Sequence, residues 1–75
     1  MKGRELRRVL RRAPLSYREP GRGTGGSHTK LTSDQYPTVL FSFHDNADVP
    51  RRAVRKVLVQ DVGLTEQAAL GILRG

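Results

Sequence analysis

TVLFSF, at residues 38–43, is the best strand pattern in the chain and the starting point for its fold class. Val39, Phe41 and Phe43 alternate with the other residues, so their side chains point to one face of an extended strand. β-branched and aromatic side chains favour such a pleated surface. We therefore expect a strand over Thr38–Phe43 whose Val39, Phe41 and Phe43 face is buried in the core.

Two more strands are predicted upstream of this one. Residues Ser27–Thr32 alternate in character, which places His28 and Lys30 on one face and apolar Leu31 on the other. Leu15–Arg18 can form a short strand, and the glycine-rich residues that follow it predict a loop. Together these segments predict a three-stranded antiparallel sheet that presents His28 and Lys30 on its open face.

A first helix precedes the strands. Apolar residues spaced i, i+3, i+4 and i+7 predict it, and arginines occupy most of the positions between them. The apolar residues are Leu6, Val9, Leu10 and Ala13. Pro14 ends the pattern, because its ring removes a backbone donor and pushes the preceding residue out of the helical region.

Two more helices follow the strands. Asp48 is placed to cap the first of them, which has Pro50 in its first turn and Gly63 at its end. Thr65 can cap a short last helix that carries Ala69, Leu70, Ile72 and Leu73. The predicted order is αβββαα. It indicates one α+β domain over residues 1–75, with the helices on one face of the three-stranded sheet.

The charge of the chain is strongly positive. Fourteen Lys and Arg stand against seven Asp and Glu, which gives a net charge of +7. Such an excess favours a polyanionic partner over an acidic or neutral small substrate. Most of the cations are arginines, whose planar guanidinium pairs bidentately with phosphate and stacks on bases. We expect the partner to be a nucleic acid, and RNA in particular.

Several kinds of site are not expected. The chain has no cysteine, so disulfides, thiolate metal sites and thiol nucleophiles are excluded. His28 and His44, with Asp45 and Asp48, do not match a strong metal-ligand spacing, and we expect neither a metal nor another cofactor. Apolar runs are too short for a membrane span or a signal peptide. A cytoplasmic location, without membrane contact, is therefore expected.

Three groups of residues resemble one known family in order and spacing. They are Gly26-Ser27-His28 at the start of the second strand, His44-Asp45-Asn46 after the third, and Pro50, Arg55 and Leu58 in the next helix. In these respects, and in its first helix, the chain resembles the HicA family of mRNA-interferase toxins. The resemblance implies a double-stranded-RNA-binding-like fold, cleavage of mRNA without a ribosome, inhibition by a cognate HicB-like antitoxin, and a catalytic histidine at His28.

Proton transfer explains why a histidine suits this chemistry. Metal-independent RNA cleavage needs a base for the ribose 2′-hydroxyl and an acid for the leaving 5′-oxygen, and histidine has a reference pKa of about 6.5. We expect His28 to transfer the proton, with His44 as a candidate second donor. Ser27 would donate a hydrogen bond to the phosphate, and Lys30 would stabilise its growing charge.

Five arginines are predicted to bind RNA. Arg7 and Arg11 belong to the basic side of the first helix, whose charge would also keep the protein in solution. Arg51, Arg52 and Arg55 lie in the first turns of the second helix, where positive charge opposes the helix dipole. Since that placement does not serve helix stability, we expect these three side chains to face phosphate.

Two alternatives remain open at this point. The same charge and fold would serve a non-catalytic double-stranded-RNA-binding or ribosome-associated module, for which His28 is dispensable. A third interpretation takes Pro50–Arg74 as a helix-turn-helix that reads DNA with its last helix. That helix has few polar side chains for base contacts, so this interpretation ranks last.

Overall fold

A computed structural model describes residues 1–19 and 29–74 of the chain. Its elements in chain order are helix α1 (Gly3–Arg11), strands β1 (Thr29–Leu31) and β2 (Val39–Phe41), helix α2 (Arg51–Arg55), a π-helical continuation of α2 (Lys56–Asp61) and helix α3 (Glu66–Arg74). The expected α+β class is confirmed. The glycine-rich segment, Ser27 and His28 lie outside the described residues.

Within residues 1–19 and 29–74 the sheet has two antiparallel strands. Thr29 pairs with Phe41, Lys30 with Leu40, and Leu31 with Val39. Val39, Phe41 and Leu31 are buried, whereas Lys30 and Leu40 are exposed on the opposite face. This register confirms the predicted buried face at Val39 and Phe41, and Phe43, beyond the end of β2, is half-buried against the same core.

The predicted strand at Leu15–Arg18 does not form. Instead of pairing with a strand, Ser16 donates its N–H to the carbonyl of Arg12, and Tyr17 donates to the carbonyl of Leu10. Because these two N–H groups bond to carbonyls at the end of α1, they do not pair with a neighbouring strand. Of this segment only Arg18 pairs with β1's continuation, in an isolated bridge with Thr32. The prediction of three strands was therefore wrong for the first of them, because the chain folds back onto the helix that precedes it.

Helix α1 follows the predicted stripe but is shorter. Leu6, Val9 and Leu10 are buried, and the helix ends at Arg11, three residues before Pro14. Ala13 was expected on the buried stripe and is exposed, because it lies beyond the last helical turn.

The start of α1 is in close contact with the loop that follows β2. Gly3 donates its N–H to the carbonyl of Ala47 at 2.9 Å, and Arg4 donates to that of Asp45 at 3.1 Å. These carbonyls satisfy helix N–H groups that have no partner within the helix. A Cβ at Gly3 would overlap the carbonyl oxygen of His44 and lie 2.9 Å from its carbonyl carbon. Position 3 therefore needs a glycine.

Helix α2 begins later than its predicted cap. Pro50 occupies the N-cap position, with Arg51 as the first helical residue. Asp48 was expected to cap the helix, and this was wrong. The chain is still extended at Asp48, where it forms an antiparallel bridge with Lys2, and its carboxylate pairs with the Lys2 ammonium at 2.8 Å.

The turn between α2 and α3 matches its prediction. Gly63 has a φ of 92°, a conformation that L side chains rarely adopt, and Leu64 donates its N–H to the carbonyl of Leu58 at 3.0 Å. This bond reaches one residue further back than in an α-helical end terminated by glycine, because the preceding turn is π-helical. The hydroxyl of Thr65 accepts the N–H of Ala68 at 3.1 Å and caps α3, as expected.

A single apolar cluster joins the helices to the buried side of the sheet. Its largest fully buried side chains are Leu6, Leu10, Leu15, Leu31, Val39, Phe41, Leu58 and Val62. Helix α3 adds only Ala69 to the fully buried set, with Ile72 and Leu73 half-buried beside it. Helix α3 therefore contacts the core through only a narrow strip of apolar side chains.

Replacing Gly3 with alanine tests the contact at the start of α1. The added methyl group must displace backbone rather than a side chain, so we expect Gly3→Ala to lower the free energy of unfolding by about 1–3 kcal/mol. Urea denaturation followed by circular dichroism measures the change.

Gly71→Ala is the matched control. Gly71 lies within α3 and a Cβ there meets nothing within 4 Å, so helix propensity alone should stabilise this variant by roughly 0.5–1 kcal/mol. Equal unfolding free energies for wild type and Gly3→Ala would show that the loop does not constrain position 3.

Candidate nucleic-acid interface

Arginines line one side of α1. Arg4, Arg8 and Arg11 follow one another at i, i+4 and i+7 and are all exposed. With Arg7 and Asp45 they border a shallow depression of about 240 Å³. We call the stripe formed by Arg4, Arg8 and Arg11 the α1 arginine face. It presents three guanidinium groups on one rigid helix.

The loop His44–Ala47 lies against this helix. Its backbone accepts the two N–H groups of the first turn, and Arg4 Nη1 donates to Asn46 Oδ1 at 2.7 Å. The loop closes on itself through a 3.1 Å bond from the Ala47 N–H to the carbonyl of His44. His44 is therefore held at the edge of the α1 arginine face, and its side chain is exposed.

Arg7 has a different environment from its neighbours. Its guanidinium carbon lies 5.2 Å from the centre of the Phe41 ring, and Nη1 lies 3.2 Å from Asp45 Oδ1. The side chain is only 24% exposed. A cation over an aromatic ring and beside a carboxylate stabilises the packing of helix on sheet. Arg7, which we predicted to bind RNA, is largely occupied in joining α1, β2 and the His44 loop.

Arg11 and Arg8 lie on the exposed side of the same helix. Arg11 Nη2 is 3.3 Å from Glu19 Oε1, an exposed pair that contributes at most about 1 kcal/mol. Such a pair can exchange for phosphate at little cost. Arg8 has no ion pair or side-chain hydrogen bond within residues 1–19 and 29–74. Arg4 and Arg8 were not among the arginines predicted to bind RNA, although their i, i+4 spacing places them on one side of the helix.

Lys30 lies on a different surface. It is exposed on the open face of the sheet, opposite Leu40, whereas α1 packs on the buried face. The sheet therefore separates Lys30 from the α1 arginine face. Lys30 lies one residue from Thr29, the first residue of β1, which pairs with Phe41. His44 follows Phe41 by three residues, so His44 lies toward the end of the strand pair at which β1 begins, and Lys30 lies in the middle of β1.

Arg51, Arg52 and Arg55 form a third group, on α2. All three are exposed, and Arg55 pairs with Glu66 of α3. Arg52 and Arg55, together with Lys56, border a shallow depression of about 250 Å³. The structure therefore distributes the predicted cations over three surfaces. Ser27 and His28 lie outside the described residues.

The carboxylates of the chain are all engaged within it. Glu5 accepts the N–H of Lys2 at 2.7 Å, and the other six form ion pairs, which are Lys2–Asp48, Arg7–Asp45, Arg11–Glu19, Arg18–Asp34, Arg55–Glu66 and Lys56–Asp61. Within the described ranges, the cations outside these pairs are Arg4, Arg8, Arg12, Lys30, Arg51, Arg52 and Arg74. The excess charge is thus available to an anionic partner.

Two other kinds of site were sought in the described part of the chain. Residues 1–19 and 29–74 contain no group of three or more His, Cys, Asp or Glu side chains arranged to hold a metal ion. The helices within those ranges are too short or too polar to span a bilayer.

Comparisons with models of known protein families, with curated proteins and with solved structures find no match to this chain. The functional interpretation therefore depends on the residues described above.

The Lys2–Asp48 pair gives a pH-dependent prediction. A hydrogen bond from Lys2, followed by the charge of that ammonium, lowers the pKa of Asp48 below its ordinary value of 3.8. Because the folded-state pKa is depressed, the stabilisation is complete above the ordinary pKa and is lost as the pH falls through the depressed value. We expect Lys2→Ala to raise the pKa of Asp48 toward 3.8, as measured by NMR titration of its carboxyl carbon.

Lys30→Ala is the matched control for this titration, because Lys30 lies on the open face of the sheet and should leave Asp48 unchanged. A titration curve of Asp48 that is identical in wild type and Lys2→Ala would contradict the assignment.

Proposed function

We propose that this chain is the toxin of a type II toxin–antitoxin pair, an endoribonuclease that cleaves mRNA by metal-independent proton transfer and is inhibited by a HicB-like antitoxin. We also propose that the chain has a fold like that of double-stranded-RNA-binding domains. His28 is the catalytic residue in this proposal, and the α1 arginine face binds the RNA backbone.

The observation that carries the proposal is the position of the His44 loop. Its backbone is bonded to the first turn of α1, beside Arg4 and Arg8, so His44 lies next to an arginine-rich helix. RNA that follows this face would pass the end of the strand pair, where Thr29 is paired with Phe41. His28 precedes Thr29 in the sequence and lies outside the described residues.

The proposed chemistry is a proton transfer by histidine side chains. His28 removes the proton from the ribose 2′-hydroxyl, and the oxygen attacks the adjacent phosphorus while the bond to the 5′-oxygen breaks. The products are a 2′,3′-cyclic phosphate and a free 5′-hydroxyl, to which His44 is the candidate proton donor. Ser27 stabilises the negative charge that grows on the phosphate oxygens. Lys30 was expected to share this role, but the sheet separates it from the α1 arginine face, so the proposal does not use it. No metal or cofactor takes part in the proposed reaction.

The proposed partners follow from the same charges. The antitoxin would have to cover His28 and neutralise arginines, so we expect its contacting surface to be acidic. Messenger RNA as the substrate implies a cytoplasmic location for the pair.

A non-catalytic RNA-binding or ribosome-associated module is the second candidate. It is favoured by the distribution of the cations over α1, the open face of the sheet and α2, which does not converge on one cleft. A surface charged on several sides suits a protein that contacts structured RNA through phosphates alone.

Cleavage of a mixed-sequence single-stranded RNA in EDTA separates the two candidates. We expect the wild-type protein to cut it and to leave 2′,3′-cyclic phosphate ends. His28→Ala should slow the cutting by about 10²–10⁴-fold, because a positioned general acid or base contributes that much. His44→Ala tests the second proton donor in the same assay.

Gln35→Ala is the matched control, since Gln35 is exposed in the turn between the strands and has no role in the proposal. Circular dichroism establishes that every variant is folded. Binding of RNA without scission by the wild-type protein would exclude the endoribonuclease and leave the non-catalytic module.

A further inference from the structure

A second surface of the molecule is apolar. Helix α2, its π-helical continuation and α3 border a groove of about 180 Å³. Its lining is almost entirely carbon, and its apolar side chains are Val59, Ala69, Leu70 and Leu73. Leu70 is 53% exposed, although it belongs to the apolar stripe of α3. An exposed leucine beside a carbon-lined groove indicates a surface that buries apolar side chains of another molecule.

Charged side chains complete the groove on its α2 side. Arg51 and Arg55 contribute to the lining, and Arg55 is paired with Glu66 across it. Arg51 is exposed and forms no ion pair within residues 1–19 and 29–74. The groove therefore combines an apolar floor with a guanidinium that can receive a carboxylate.

The charges of this chain disfavour a second copy as the occupant. All seven carboxylates already have a partner within the chain, so a second copy would have to give up one of these bonds to pair with Arg51. Two copies with a net charge of +7 each also repel one another. Residues 20–28, PGRGTGGSH, contain neither an acidic residue nor a large aliphatic one, so they do not match the groove either.

RNA is also a poor match for this groove. Single-stranded RNA is bound by aromatic side chains that stack on its bases, and none lines the groove. Phosphates would gain little from Val59, Leu70 and Leu73. The combination of carbon surface and arginine instead suits a protein segment.

We propose that the groove between α2 and α3 binds an acidic amphipathic helix of another protein. Apolar side chains at i, i+3 or i+4 of that helix occupy the groove beside Leu70, and flanking Asp or Glu pair with Arg51. The proposal does not depend on RNA cleavage, because the described residues that line the groove have no role in proton transfer. Arg51, which the sequence predicted to face phosphate, is assigned here to a carboxylate.

A labelled synthetic peptide tests the proposal. The peptide has leucines on one helical face and glutamates elsewhere, and fluorescence anisotropy measures its binding to the full chain. A scrambled peptide of equal composition, with its leucines spread around the helix, is the reference. We expect saturable binding of the amphipathic peptide only, with backbone NMR shifts concentrated in α2 and α3.

Two exposed leucines provide matched variants. Leu70→Lys should raise the Kd at least about tenfold, the loss expected when one buried leucine contact is removed. Leu40→Lys, at a leucine that is 64% exposed on the open face of the sheet, should leave the Kd unchanged. Both substitutions are at exposed positions, and circular dichroism checks that the variants are folded.

The outcomes are distinct. Absence of saturable binding, equal binding of the scrambled peptide, or equal losses in the two variants would each overturn the proposal. Self-association of the protein that Leu70→Lys abolishes would assign the groove to a second copy instead. NMR shifts of Leu70 and Leu73 on addition of RNA, without shifts from the peptide, would assign it to RNA.

Discussion

A close backbone contact between Gly3 and His44 holds the start of α1 against the loop that follows β2. Because position 3 has no Cβ, the His44–Ala47 loop approaches the first turn of α1 and supplies carbonyls to its free N–H groups. The same helix carries Arg7, whose guanidinium lies over the Phe41 ring, and the α1 arginine face. Helix α1 thus contributes both to the packing and to the candidate interface.

Elements that depend on a pattern of neighbouring residues could be predicted from the sequence. The alternation of Val39 and Phe41 gave the buried face of β2, and Gly63 and Thr65 marked a helix end and a helix start through their backbone and side-chain chemistry. The wrong predictions concern residues that bond to other parts of the chain than the local pattern indicated. Tyr17 donates to Leu10 instead of to a strand, and Asp48 pairs with Lys2 instead of capping α2. No local pattern reports such contacts.

For the candidate site, the sequence predicted the types of residue but not their arrangement. The excess of arginine indicated a polyanion, but spacing alone could not show that Arg7 is turned toward Phe41 while Arg8 remains exposed. Nor could it show that the sheet lies between Lys30 and α1. The structure thus distinguishes arginines that hold the fold together from arginines that remain available to a ligand. The predicted catalytic residue, His28, lies outside the described residues.

The most direct test of this account is an NMR titration of the protein with a short 2′-O-methyl RNA, which lacks the attacking hydroxyl and so binds without being cut. The account predicts that the largest amide and side-chain shifts occur at Arg4, Arg8 and Arg11 and at the neighbouring His44 loop, and that they weaken as salt is added. Shifts confined to Lys30 and Leu40, or to α2 and α3, would contradict it.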